Sequence, residues 1–252
     1  MEDFRSYASR EPSPPEFLHP DSPWRTPPEE GKGRETVLAG VRFYQERTAP
    51  LVRPLLAGLA AGQQPRAFCV SCVDSRVLPD LLTASGPGDL LTLRNVGNVV
   101  PPYDATHLPA DLSVPAAVEF AVSILRVPAI VVCGHSGCAG LQALHQGTDL
   151  GRDAGTLRAW LRLAEPSLAR WAAGDPVRDV AAREGWADLD QIVMVNVVEQ
   201  LDHLMSYPLV ADAVASGQTQ LVGLYLDIAT ARVLVYEPAD HRFVPVTDKD
   251  LH

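Results

Sequence analysis

Three short apolar runs constrain this chain most: Ala67–Cys72, Leu90–Leu93 and Ala129–Cys133, often β-branched and bounded by Gly, Pro and charged residues. Runs this short, without polar alternation, read as strands buried on both faces. Helical periodicities separate them, notably over Val114–Leu125 and Leu157–Ala173. A further strand is expected at Ile192–Val195, helices near Glu199–Ser206 and Asp212–Ser216, and an antiparallel hairpin from Leu221–Leu226 and Arg232–Tyr236 around Asp227–Ala231. Strand–helix alternation closed by a hairpin predicts an α/β fold. Its central sheet is mostly parallel, about four parallel strands plus an antiparallel edge strand, flanked by helices.

Towards the amino terminus the pattern changes. Val37, Val41 and Tyr44, then Leu51, Leu55 and Leu59, recur at helical spacing, and Pro50 and Pro54 are expected to split the stretch into two helices. Before it, seven prolines fall within residues 1–36 among scattered charges. Such a segment buries too little apolar surface to offset its ordering entropy. Residues 1–35 are therefore expected to be a flexible Pro-rich arm, and residues 36–252 a single catalytic domain.

Charge narrows the partners. With 21 Lys and Arg against 31 Asp and Glu, the net charge is −10, which argues against nucleic acid and against an anionic membrane surface. Glu119 and Arg126 interrupt the longest candidate for a spanning helix. Met1–Arg10 has neither a basic nor an apolar signal region, so a cytoplasmic location is expected. There the four cysteines would be reduced and available as ligands, catalysts or core residues.

Two loops carry the chemistry, each directly after a predicted buried strand: Cys72-Val73-Asp74-Ser75-Arg76 and Cys133-Gly134-His135-Ser136-Gly137-Cys138. Ligands of open α/β sheets bind beyond the carboxyl ends of strands. Two thiols and an imidazole placed there form a Cys2His set suited to zinc with one open position. Cys69 and Cys72 also match a Cys-x-x-Cys redox spacing, but Cys69 falls inside the strand rather than at a helix start. A four-cysteine site would need Cys69 and Cys133 to reach up from about one pleat deeper, roughly 6–7 Å. Both read as small core residues.

These motifs resemble those of the beta-class carbonic anhydrases. Cys72–Arg76, Arg94-Asn95-Val96-Gly97-Asn98 and Gly134–Cys138 stand in that family's order, Gln63 precedes them, and Tyr225–Thr230 resembles its late hairpin. The resemblance implies reversible hydration of CO2 to bicarbonate and a proton by a zinc-bound hydroxide, in a homodimer or homotetramer. Cys72, His135 and Cys138 would bind one Zn2+ per subunit, and Asp74 and Arg76 would form the catalytic dyad. Gln63, Leu91, Val96, Phe120 and Ala139 would line the substrate pocket, with residue 120 supplied across a dimer interface. Phe120 stands where tyrosine is common and Ala139 where glycine is common. Cys69 replaces a tryptophan of the bicarbonate-regulated branch, and Pro101-Pro102-Tyr103 is closer to the plant-type branch. A hydrolase of COS or CS2 on the same site, or a catalytically silent zinc-binding homologue, would share these ligands.

Overall fold

Ala67–Cys72 (β1) is buried at every residue, and Ala129–His135 (β3) at all but its first. These two strands pair in parallel at the middle of a six-stranded sheet. The computed structural model describes residues 33–106 and 112–247. Leu90–Asn95 (β2) pairs in parallel with the other side of β1, and Gln220–Asp227 (β4) in parallel with β3. Arg232–Glu237 (β5) and Arg242–Pro245 (β6) then add antiparallel, giving the order β2-β1-β3-β4-β5-β6. The four parallel strands and the antiparallel hairpin follow the sequence expectation. β6 extends the antiparallel edge by one short strand that the pattern did not mark.

The chain leaves β1 for β2 on one side and reaches β3 on the other. The strand order therefore reverses between β1 and β3, and a crevice opens beyond their carboxyl ends. Cys72 ends β1 and His135 ends β3.

Helices cover the sheet. Pro79–Leu82 (α3) follows β1, and Ser113–Glu119 (α4), continued by a π turn at Phe120–Ile124, precedes β3. Ala139–Gln146 (α5), Gly155–Leu161 (α6), Glu165–Ala172 (α7) and Pro176–Arg183 (α8) follow it. Then come Asp188–Met205 (α9) and Pro208–Ala215 (α10).

Ile192–Val195 is not a strand: it lies inside α9, which packs against β3 and β4. Twelve of the 18 residues of α9 are buried. A helix apolar on nearly every side gives the same short β-branched run as a buried strand, so periodicity cannot separate the two. Close approach is possible because β3 carries Gly134. A Cβ there would lie 2.7 Å from Val197 Cγ2 and 2.8 Å from Val193 Cγ1.

The polar residues of α9 form a buried network. Ser167 Oγ donates to Asn196 Oδ1 (2.9 Å), and Gln200 Nε2 donates to the same oxygen (3.0 Å). Outward, Asn196 Nδ2 donates to the Gly97 carbonyl (3.1 Å) and Gln200 Oε1 accepts from the Val100 N–H (2.7 Å). The loop after β2 is thus tied to the core.

By compactness the chain divides into one unit ending at Ala61 and another beginning at Gly62. The first unit contains Gly33–Phe43 (α1), a π turn at Tyr44–Thr48 and Ala49–Leu59 (α2), and none of these elements buries a residue. Helix begins at Gly33, three residues before the expected Thr36; residues 1–32 of the expected arm lie outside the described residues. Two helices are found here as expected, joined by the π turn. Pro50 falls in the first turn of α2, where its missing N–H costs nothing, while Pro54 lies within the helix.

Candidate metal centre

Three side chains meet where β1 and β3 end. Cys72, His135 and Cys138 are all buried, and one ligand atom from each lies within 4.8 Å of the others. The turn Ser136-Gly137 lets β3 hand over directly to α5; Gly137 has φ +63° there. Cys138 is the extended N-cap of α5, so its sulfur meets the backbone N–H groups of Gly140 and Leu141. The hairpin braces this turn: Ser136 N donates to the Leu226 carbonyl (2.8 Å), and Ile228 N donates to Ser136 Oγ (2.9 Å).

His135 reveals the direction of the site. Its Nδ1–H donates to the Ser136 carbonyl (2.9 Å), which leaves Nε2 as the lone-pair nitrogen. That Nε2 is buried and has no hydrogen-bond partner. A buried acceptor without a partner is costly, and a cation at this point would satisfy it. Two thiols and such an imidazole are a zinc-type donor set.

The sulfurs support the same conclusion. The Cys72 thiol is pulled down to about 4, foremost by the hydrogen bond from Cys138, against burial. Cys138 is pushed up, because it donates its proton to Cys72, is buried, and faces the Cys72 charge. Both sulfurs can be thiolates together only beside a cation. By contrast, Cys69 and Cys133 are simply raised by burial, Cys133 to about 12. Both pack in a small apolar cluster with Ala67 and Val131, as expected of core residues.

Asp74 lies at the edge of the centre, its Oδ2 3.9 Å from His135 Nε2. Arg76 donates to both of its oxygens, and the resulting hydrogen bonds hold its carboxyl well below the usual carboxylate range. Arg76 Nη2 also donates to the Gly137 carbonyl (3.3 Å), joining the two loops.

Arg94 has a role that the sequence reading did not assign. Its Nε donates to the Cys72 carbonyl (3.0 Å) and its Nη2 to the Asp74 carbonyl (2.6 Å). One planar guanidinium therefore fixes the backbone of a candidate metal ligand and of the carboxylate beside it. A charged residue near the end of an otherwise largely apolar, partly buried strand was the available signal.

The expected pocket residues are more dispersed. Val96 packs against Gly140 near the start of α5, and exposed Ala139 opens that helix. Leu91 pairs in register with Phe68 in β1 and is partly buried against the core. Gln63 is exposed before β1. Phe120 is 40% exposed and borders a groove of about 370 Å³ with Glu119, Ser123, Ile124 and Leu209. That groove is not lined by the metal-centre residues.

Comparison with known proteins agrees with this arrangement. The sequence model described as carbonic anhydrase matches residues 67–233. The chain is 36% identical over 212 residues to a carbonic anhydrase of Pseudomonas aeruginosa, covering 84% of this chain and 91% of that protein. Carbonic anhydrase 1 of Escherichia coli O157:H7 is 34% identical over 214 residues, covering 83% and 91%. Among solved structures, the beta-carbonic anhydrase CcaA superposes with a TM-score of 0.76 at 30% identity, covering 87% of this chain and 94% of that one. A tetrameric beta-carbonic anhydrase of Sordaria macrospora gives 0.64 at 26% identity, covering 80% and 95%. With the strand order, the ligand triad and the carboxylate–guanidinium pair all in place, the chain belongs to the beta class of the carbonic anhydrase family.

Proposed function

We propose that the chain catalyses the reversible hydration of CO2 at this centre, with Cys72, His135 and Cys138 holding one zinc ion. When bound, zinc supplies Lewis acidity that makes a water ionisable near neutral pH. The protein's own contribution is orientation. Asp74, kept anionic by Arg76, is an acceptor only, and its Oδ2 faces the same space as His135 Nε2. It would accept the hydrogen of the attacking oxygen and so turn a lone pair towards the CO2 carbon. Arg76 stops the carboxylate from rotating out of that position, and Arg94 anchors the backbone beneath it. Burial of all three ligand side chains limits access of bulk water.

Leu91, Val96 and Ala139 supply apolar or small surface for CO2, and Gln63 a donor for bicarbonate. Phe120, exposed on this chain, would act from a neighbouring subunit of a homodimer or homotetramer. Support for assembly comes from that exposure and from the tetrameric relative. Among the described residues no helix is long and apolar enough to cross a membrane. The four free cysteines fit a reducing cytoplasm.

The observation that carries this reading is an ion-paired carboxylate 3.9 Å from a buried, partnerless imidazole nitrogen. A zinc with a purely structural role would gain nothing from an orienting carboxylate. Stopped-flow CO2 hydration with zinc quantified on the same sample is the test. Stoichiometric zinc without hydration above the buffer rate would overturn the proposal.

A further inference from the structure

We propose that Asn95 is a positioning residue for the hydration reaction, setting through its backbone where the Cys72–Asp74 segment stands relative to the core. The inference rests on the function proposed above. The Asn95 carbonyl accepts from the Val73 N–H at 3.0 Å. Val73 is the single residue between the first candidate ligand, Cys72, and Asp74, the carboxylate that would orient the attacking oxygen. Arg94 holds the carbonyls of Cys72 and Asp74 on either side of it. The end of β2 therefore grips three polar backbone groups of this segment, and the segment stands only where Asn95 and Arg94 stand.

Asn95 is itself fixed by a loop that its side chain closes. Gly97 and Asn98 both have left-handed backbone, at φ +79° and +47°, and the chain folds back so that Val99 lies beside the Asn95 carboxamide. There Nδ2–H donates to the Val99 carbonyl (2.8 Å) and Oδ1 accepts from the Val99 N–H (2.7 Å). The carboxamide thus pairs with Val99 as a neighbouring strand would, using one donor and one acceptor on the same short side chain. Two left-handed residues in a row, one of them not glycine, store strain that such a clamp must hold. The next residue is tied to α9. Gln200 Oε1 accepts from the Val100 N–H and His203 Nδ1–H donates to the Val100 carbonyl, each at 2.7 Å. Hydrogen bonds therefore run from the buried helix to Val99 and Val100, from Val99 to Asn95, and from Asn95 to Val73. Outer contacts of this kind set the orientation of groups at a metal centre without touching the substrate.

The test uses the full-length chain carrying Asn95→Asp and, separately, the chain with the Val99 amide replaced by an ester through the α-hydroxy acid of valine. In the first, a second acceptor oxygen faces the Val99 carbonyl; in the second, only the N–H that Asn95 accepts is lost. Amide hydrogen exchange of the metal-free chain should show the Val73 N–H exchanging faster in both variants, while N–H groups inside β1, such as that of Val70, keep their wild-type rates. In the zinc-loaded enzyme kcat should fall about tenfold, with KM for CO2 and zinc content unchanged. Wild-type protection of Val73, wild-type kcat, a change in KM alone, or faster exchange throughout β1 would each overturn the proposal. The ester variant decides if Asn95→Asp fails to fold. If the wild-type chain with stoichiometric zinc hydrates no CO2, the function proposed above falls and takes this inference with it.

Discussion

Arg76 grips Asp74 at three points: Nε lies 2.9 Å from Oδ1, Nη2 2.7 Å from Oδ2, and the Arg76 backbone N–H donates to Oδ1 at 3.0 Å. The Asp74 side chain is only 15% exposed whereas that of Arg76 is 52% exposed. The carboxylate is therefore aimed inward by a guanidinium that water can still reach. Asp74→Asn preserves shape but replaces one acceptor oxygen by a donor. Zinc content should stay at the wild-type level while kcat falls by about two orders of magnitude, the usual loss for a preorganised polar contact. Stopped-flow rates alongside metal analysis check this, and wild-type turnover would remove Asp74 from the mechanism.

Arg94 spans two carbonyls, those of Cys72 and Asp74, with one rigid fork. A lysine offers a point charge on a flexible stem and cannot reproduce that geometry. Arg94→Lys should lower both zinc affinity and kcat, each by about tenfold, with KM for CO2 little changed. If KM alone moves, Arg94 belongs to substrate binding instead.

The two sulfurs make metal binding depend on pH in a definite direction. Cys72, pulled down to about 4, is already a thiolate near pH 7, while Cys138 is pushed up and holds its proton. Loading the centre must expel that one proton, so affinity rises with pH by about tenfold per unit. Chelator competition at pH 6, 7 and 8 measures the slope, and an affinity that ignores pH would show that Cys138 is not displaced from its thiol form. Chelation should also lower the melting temperature, since the ion binds only the folded arrangement.

Gly134 is set by packing and not by catalysis. A methyl group there would meet Val193 and Val197 of α9 at 2.8 and 2.7 Å. Gly134→Ala should destabilise the fold by roughly 1–3 kcal/mol through overpacking. Because Gly134 precedes His135, zinc affinity should drop as well. Denaturant titration of the metal-free chain separates the two effects.

Much of the site could be read from residue order alone. Cys72 and His135 end β1 and β3, and Cys138 follows three residues on at the start of α5, because apolar runs give way there to a polar, glycine-containing turn, a local property of the chain. The pairing of Asp74 with Arg76 is equally local, since the two are separated by one residue. Ile192–Val195 shows the opposite case. A run of branched apolar side chains is compatible with a strand or with a helix buried on all sides, and only packing against β3 and β4 selects the helix. That misreading also concealed Asn196 and Gln200, whose carboxamides mean nothing until α9 carries them under the loop after β2. Arg94 was visible as a residue but not as a positioner, because it acts through backbone carbonyls distant in sequence. Local chemistry thus marked the candidate ligands and the end of β1, while β2 and β3 run two residues past the apolar runs, to Asn95 and His135. The tertiary structure decided what holds those ligands in place, since a hydrogen bond from a side chain to a remote peptide exists only once both have been brought together by the fold.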